Sequence, residues 1–151
     1  MRRIFFILTL FFAVGSSINI TAVNEPNNNG IETLITNKLE LFIKEKKFQA
    51  DETLLYPGIN SKPLKNKLTE LINESAKDFM LVATSQPSDE NYQNKIKTGL
   101  LRFDPYFSEL NSEDLDRIYH YYEQLIEIVG LKNAGDHLKK WRYGSGSSNK
   151  K

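Results

Sequence analysis

EDLDRIYHYYEQLIEIVG, residues 113–130, separates into two faces with almost no mixing, and the rest of the chain reads as cover for it. With Leu115 at zero and about 100° per residue, Ile118, Tyr119, Tyr122, Leu125, Ile126 and Val129 share an arc of roughly 120°. Tyr121 and Ile128 widen that arc toward half the circumference, and Asp116, Arg117, His120, Glu123, Gln124 and Glu127 fill the other half. Asn111 or Ser112 supplies an N-cap, and Glu113, Asp114 and Asp116 sit where the positive end of the helix dipole favours carboxylates. Gly130 ends the segment, as the residue type that best tolerates a left-handed C′ position. A dry face this broad must touch more than one neighbouring element, which places the helix centrally.

Working outward, Asp104-Pro105 opens a short helical turn carrying Tyr106, Phe107 and Leu110 into the central helix. Before it, Ser88 caps a helix with Asp89 and Glu90 in its first turn and a narrow apolar face of Tyr92, Ile96, Leu100 and Phe103, suited to the edge of a bundle. Asn60 or Ser61 caps a longer helix with Pro63 in its first turn and Leu64, Leu68, Leu71, Ile72, Phe79, Val82 and Ala83 on one face. Residues 31–48 begin a further helix, with Ile31, Leu34, Ile35, Leu39, Phe42 and Ile43 at helical spacing. The pattern breaks over 49–62, where Tyr56-Pro57-Gly58-Ile59 signals a tight turn. Beyond Gly130, Leu131, Ala134, Leu138 and Trp141 recur at helical spacing and predict a short, imperfect helix folding back, weakened by Gly135. Nothing alternates with period two for long enough to make a strand. The expected fold is all-α, with four main helices plus a short C-terminal helix packed as a small bundle.

The chain ends call for different treatment. Arg2 and Arg3 precede an uncharged apolar run over 4–14, the length of a signal-peptide core and short of a membrane span. Small residues at Gly15, Ser16 and Ser17 set a cut after 17, with Ala22 marking the latest position; the weaker alternative is a retained anchor over 4–20. Residues 18–30, rich in asparagine with Pro26 and Gly30, read as a flexible spacer, 31–144 as one helical domain, and 145–151 as a disordered tail. The expected location is therefore exported, periplasmic or secreted.

The chain has no cysteine, which excludes a disulfide framework, a thiol nucleophile and cysteine-based zinc sites. Of its 20 basic side chains, Arg2 and Arg3 leave with the signal, so 18 face 19 acidic ones, a balance that lacks the footprint of a nucleic-acid binder. Asp116, His120, Glu123 and Glu127, at i, i+4, i+7 and i+11, form the best metal candidate, but they lie opposite the dry stripe, whereas bundle metal sites face inward. They read as a solvated face, and no metal or cofactor is expected. Lys38 falls inside an apolar stripe and could serve as an amine base, although a lysine there more simply lays its stem along the stripe. Ser75 reads as a small core residue bonded back to its own helix. His137 has only its sequence neighbour Asp136 to orient it.

Aromatic residues crowd the last third of the chain. At helical spacing they read first as core, and second as a contact surface in which Trp141, Tyr143, Tyr121 and Tyr106 would meet a partner. Trp141 shares a face with Leu131, Ala134 and Leu138, so it is expected to dock beside the central helix, with Tyr143 at the rim of that contact.

Four landmarks carry a resemblance. Tyr56-Pro57-Gly58-Ile59, Arg102-Phe103-Asp104, Ile128-Val129-Gly130-Leu131 and Trp141-Arg142-Tyr143-Gly144 resemble those of a family of short, helical, exported bacterial proteins classed as a domain of unknown function. The similarity spans about 31–144 and implies a helical domain and a bacterial source, with no activity to transfer. The functional expectation is a non-catalytic interaction module of the cell envelope or secreted space, of accessory or immunity type, whose partner is another protein. The alternative is a small enzyme or ligand carrier with a pocket between helices, using Lys38 or His120.

Overall fold

The computed structural model describes residues 28–144, which form α1 (Asn28–Lys44), α2 (Lys62–Ser85), α3 (Asp89–Leu101), a 3-10 segment (Asp104–Glu109), α4 (Ser112–Val129) and α5 (His137–Lys139). A π-helical turn, Lys140–Gly144, continues α5. The expected signal segment and tail lie outside the described residues. Four principal helices and a short C-terminal one pack as an all-α bundle.

The helix boundaries follow local cap chemistry. Ser61 Oγ accepts from Leu64 N–H at 3.4 Å, with Pro63 in the first turn, and Ser88 Oγ accepts from Asn91 N–H at 3.2 Å. Asn111 and Asp114 form a reciprocal capping box at 2.8 and 3.2 Å. Gly130 closes α4 at φ 67°, and Leu131 N–H returns to Ile126 C=O at 3.1 Å.

α2 packs on α1 and α3, and α4 lies across α1 and α2, so the centre is shared between α2 and α4. The core joins Leu68, Ile72 and Phe79 of α2 to Ile118, Tyr122 and Leu125 of α4, all fully buried. Burying a side chain of this size stabilises by about 1.5–3 kcal/mol. Ser75 bonds back to Leu71 C=O at 3.0 Å and also meets the Tyr122 hydroxyl at 2.8 Å, so this hydroxyl pair is satisfied within the core. Gly99 brings α3 against that pair: a Cβ there would overlap Tyr122 Oη and lie 2.9 Å from Ser75 Oγ. Arg102, at the end of α3, ties back to α2 through Asp78 at 2.6 Å.

Two expectations are corrected in α1. Asn28, Asn29 and Gly30, assigned to a spacer, are helical, and the helix stops at Lys44 instead of running to Phe48. Ile31 and Leu34, at helical spacing in the same apolar stripe, are exposed, because only the second half of α1, from Leu39 to Phe42, reaches α2 and α4 with buried side chains. The early stop has a cause no helical period can show. Lys47 turns its stem inward, leaving the residue 2 % exposed, and its ammonium donates to Phe42 C=O while standing 3.8 Å from the Phe42 ring centroid. The C-terminal carbonyls of α1 are thereby capped by a buried cation.

The C-terminal segment returns to α3 and α4, with Gln93 Nε2 bonded to Asn133 C=O at 2.7 Å. Trp141 is buried, its ring edge-on to Phe103 and Phe107 at centroid distances of 6.2 and 5.4 Å. Tyr143 remains 68 % exposed and tilts against Tyr119 at 6.4 Å.

Candidate functional site

Sequence patterning breaks over 49–62, and in the structure the loop over 45–61 packs against one edge of α4, leaving Asp116, His120 and Glu123 substantially exposed. Three α4 residues hold it. Tyr121 Oη accepts from Phe48 N–H at 2.7 Å, Asp114 Oδ1 accepts from Tyr56 Oη at 2.8 Å, and Arg117 Nη1 donates to Asp51 Oδ2 at 2.9 Å. Positions 114, 117 and 121 stand at i, i+3 and i+7, one stripe of the helix. Their partners are spread along the loop, so α4 fixes its whole course.

The loop is also closed on itself. Asp51 and Tyr56 exchange backbone hydrogen bonds at 2.8 and 2.9 Å in an isolated antiparallel bridge, and Asp51 Oδ1 accepts from Thr53 and Leu54 N–H at 3.1 and 3.4 Å. Gly58 takes φ 80° where a Cβ would stand 2.7 Å from Ala50 N, so only glycine fits. Phe48 and Leu55 also adopt left-handed backbone, at φ 53° and 52°. Such residues cost on the order of 1–3 kcal/mol and persist only where surrounding structure holds them. Phe48 is held by its buried ring, which packs edge-on to Tyr121 at 5.2 Å. Leu55 has no such anchor: it is 86 % exposed, and its neighbour Leu54 is 48 % exposed.

Electrostatics reinforce the clasp. The Arg117 guanidinium lies 4.9 Å from the Tyr121 ring centroid and 5.5 Å from that of Tyr56, and it holds the Asp51 carboxyl below the usual carboxylate range. Burial, then the adjacent Asp114 carboxylate, pushes the Tyr56 phenol above its ordinary range. Burial likewise lowers the Lys47 ammonium below the lysine range, against the opposing pull of Glu45. Beside the loop lies a cleft of about 200 Å³ lined by Leu54, Tyr56, Glu113, Asp116, Arg117 and His120.

The sequence-selected residues are dispersed by the fold. Asp116 is ion-paired with Arg142 at 2.5 Å, while His120 meets Glu123 at 3.5 Å and Gln124 at 3.3 Å. Among the described residues, no group of three or more histidine, aspartate or glutamate side chains is placed to hold a metal ion. Lys38 is exposed on α1, beside a shallow cleft with Leu41 and Glu127. The buried lysine is Lys47, which stands in the charged run Lys44-Glu45-Lys46-Lys47 with nothing in the sequence to single it out. His137 is half-buried beside Trp141, in a separate cleft from His120. Of the four aromatic residues, Trp141 and Tyr121 are buried, as their first reading as core has them, and only the second reading as a contact surface lapses for these two; Tyr106 is half-buried and Tyr143 exposed. The tip formed by Leu54 and Leu55 had no signal in the sequence beyond two leucines next to a turn.

The fold defines a small all-α domain whose distinguishing feature is a loop clasped to its fourth helix. A family model described as a domain of unknown function, DUF4844, matches residues 26–146, and the chain belongs to that family. The fold is similar to the crystal structure of a DUF3571 family protein from Acinetobacter baumannii AYE, with a TM-score of 0.70 and 24 % identity, over 78 % of this chain and 94 % of that one. No curated protein matches. The four landmarks of the chain all lie at structural junctions: Tyr56 on Asp114, Arg102 on Asp78, Gly130 at the end of α4, and Trp141 among the rings.

Proposed function

We propose that this domain is a non-catalytic protein-binding module, exported to the bacterial cell envelope or the secreted space, which engages its partner through the tip of the 45–61 loop. Leu55 carries the reading. It combines disfavoured left-handed backbone with an 86 % exposed apolar side chain, on a loop fixed by its own bridge and by α4. A leucine so placed contributes little to the fold, and the strain of its backbone opposes it. A rigid apolar projection suits binding, since little conformational entropy remains to be lost on contact. Export is supported by the basic and apolar pattern of residues 1–17.

Photo-crosslinking in the source cell tests both parts. A crosslinker in place of Leu55 should give one discrete protein adduct in the envelope or medium fraction. The same probe at exposed Thr84, at the far end of α2, should give none. Identical adducts from both positions, or none from Leu55, would overturn the binding role, and recovery of the full-length N-terminus from the cytoplasm would overturn export.

A further inference from the structure

The charge around the tip narrows the partner. Asp51 is neutralised by Arg117, Asp116 by Arg142, and Asp114 is committed to Tyr56 and to the Asn111 backbone. Both guanidiniums near the cleft are therefore already matched. Glu52 and Glu113 are different: both are exposed, and neither makes an ion pair or side-chain hydrogen bond among the described residues. Glu52 is joined to Leu55, whose N–H donates to the Glu52 carbonyl at 3.2 Å, and Glu113 lines the cleft together with Leu54. The tip and cleft thus carry two carboxylates without an ion-pair partner, and no unpaired cation lines the cleft.

From this we infer that the occupant of the tip and cleft is a basic, apolar segment of a partner protein. A bulky apolar side chain of that segment covers Leu55, and a lysine or arginine a few residues away reaches Glu113 across the cleft. The inference rests on the binding role proposed above and adds the partner's chemistry. An acidic segment would meet like charge at Glu52 and Glu113, and an uncharged one would leave them half-desolvated without a counter-charge. The cationic contact lies at the rim, so it sets specificity and association rate and weakens with salt, while the leucines supply the buried area.

Selection of a phage-displayed random dodecapeptide library on the purified protein is the test. The enriched peptides should share a lysine or arginine close to leucine, isoleucine, phenylalanine or tryptophan. A synthetic peptide of the enriched sequence should bind Leu55→Asn roughly tenfold more weakly, because asparagine keeps the left-handed backbone and removes the apolar surface. Glu113→Gln should weaken it several-fold and reduce its salt dependence. An acidic or uncharged consensus, or binding indifferent to Leu55→Asn, would overturn the inference while leaving the crosslinking result to judge the binding role separately. Enrichment that appears only after deletion of residues 145–151 would make the chain's own tail, with Lys150 and Lys151, the occupant and would also overturn it. So would concentration-dependent self-association abolished by Leu55→Asn, and so would the absence of any enriched peptide.

Discussion

The hydroxyl of Tyr122 on α4 lies 2.8 Å from that of Ser75 on α2, and Gly99 of α3 passes over the pair so closely that three helices meet at one hydrogen bond. Gly99→Ala should therefore destabilise by about 1–3 kcal/mol, as overpacking does, although alanine is the better helix former. Tyr122→Phe removes the atom nearest the new methyl group. In that background the cost of Gly99→Ala should fall by more than about 0.5 kcal/mol, a non-additivity that denaturant midpoints of the two single variants and the double variant will show.

Leu125 is fully buried on α4, whereas Glu123, two residues earlier, points to solvent. Leu125→Ala should cost about 2–5 kcal/mol and Glu123→Ala no more than about 0.5 kcal/mol in urea unfolding. Equal midpoint shifts would contradict the orientation of the helix.

Alkali should unfold the protein for a specific reason. Burial raises the phenols of Tyr56 and Tyr122, aided at Tyr56 by the neighbouring Asp114 carboxylate and opposed at Tyr122 by the Ser75 hydrogen bond. Below about pH 9 both phenols are protonated in folded and unfolded chain alike, and stability is unaffected. Above that the unfolded chain alone loses the protons, so stability should fall by about 1.4 kcal/mol per pH unit for each tyrosine. Lys47 works in the other direction, because its lowered ammonium is released first from the folded state as pH climbs toward the ordinary lysine range. Urea midpoints between about pH 9 and 11.5 should flatten and then drop, and Tyr56→Phe should make the drop shallower.

Trp141, the sole tryptophan, is buried edge-on to Phe103 and Phe107. Its emission should be blue-shifted and poorly quenched by acrylamide until global unfolding, and Trp141→Ala should cost about 3–5 kcal/mol. A red, freely quenched emission from the folded protein would contradict the docking of the C-terminal segment.

What was legible in the sequence was local. The faces of α4, the caps at Ser61, Ser88 and Asn111, the stop at Gly130 and the inward course of Trp141 all depend on residues within a turn or two of one another. The site was not legible for the converse reason. Phe48 and Leu55 carry no residue preference for left-handed backbone, and what holds the loop containing them is a stripe on α4 far along the chain. The same separation hid Lys47, whose burial depends on Tyr121 arriving beside it, with the ring centroid 5.6 Å from the ammonium.

The three side-chain bonds that fasten the loop to α4 span 58, 66 and 73 residues of chain, whereas the caps and helical hydrogen bonds close within a handful. Closing so long a stretch has an entropic cost that must be met before the contact returns anything, so these pairings form late. On a ribosome the order is stricter still. α1 and α2 emerge complete while Asp114, Arg117 and Tyr121 are not yet synthesised, and until then the segment between them has only its own Asp51–Tyr56 bridge to shape it. The leucine tip therefore takes its final shape only once α4 has been made, which ties any binding through it to synthesis of the fourth helix.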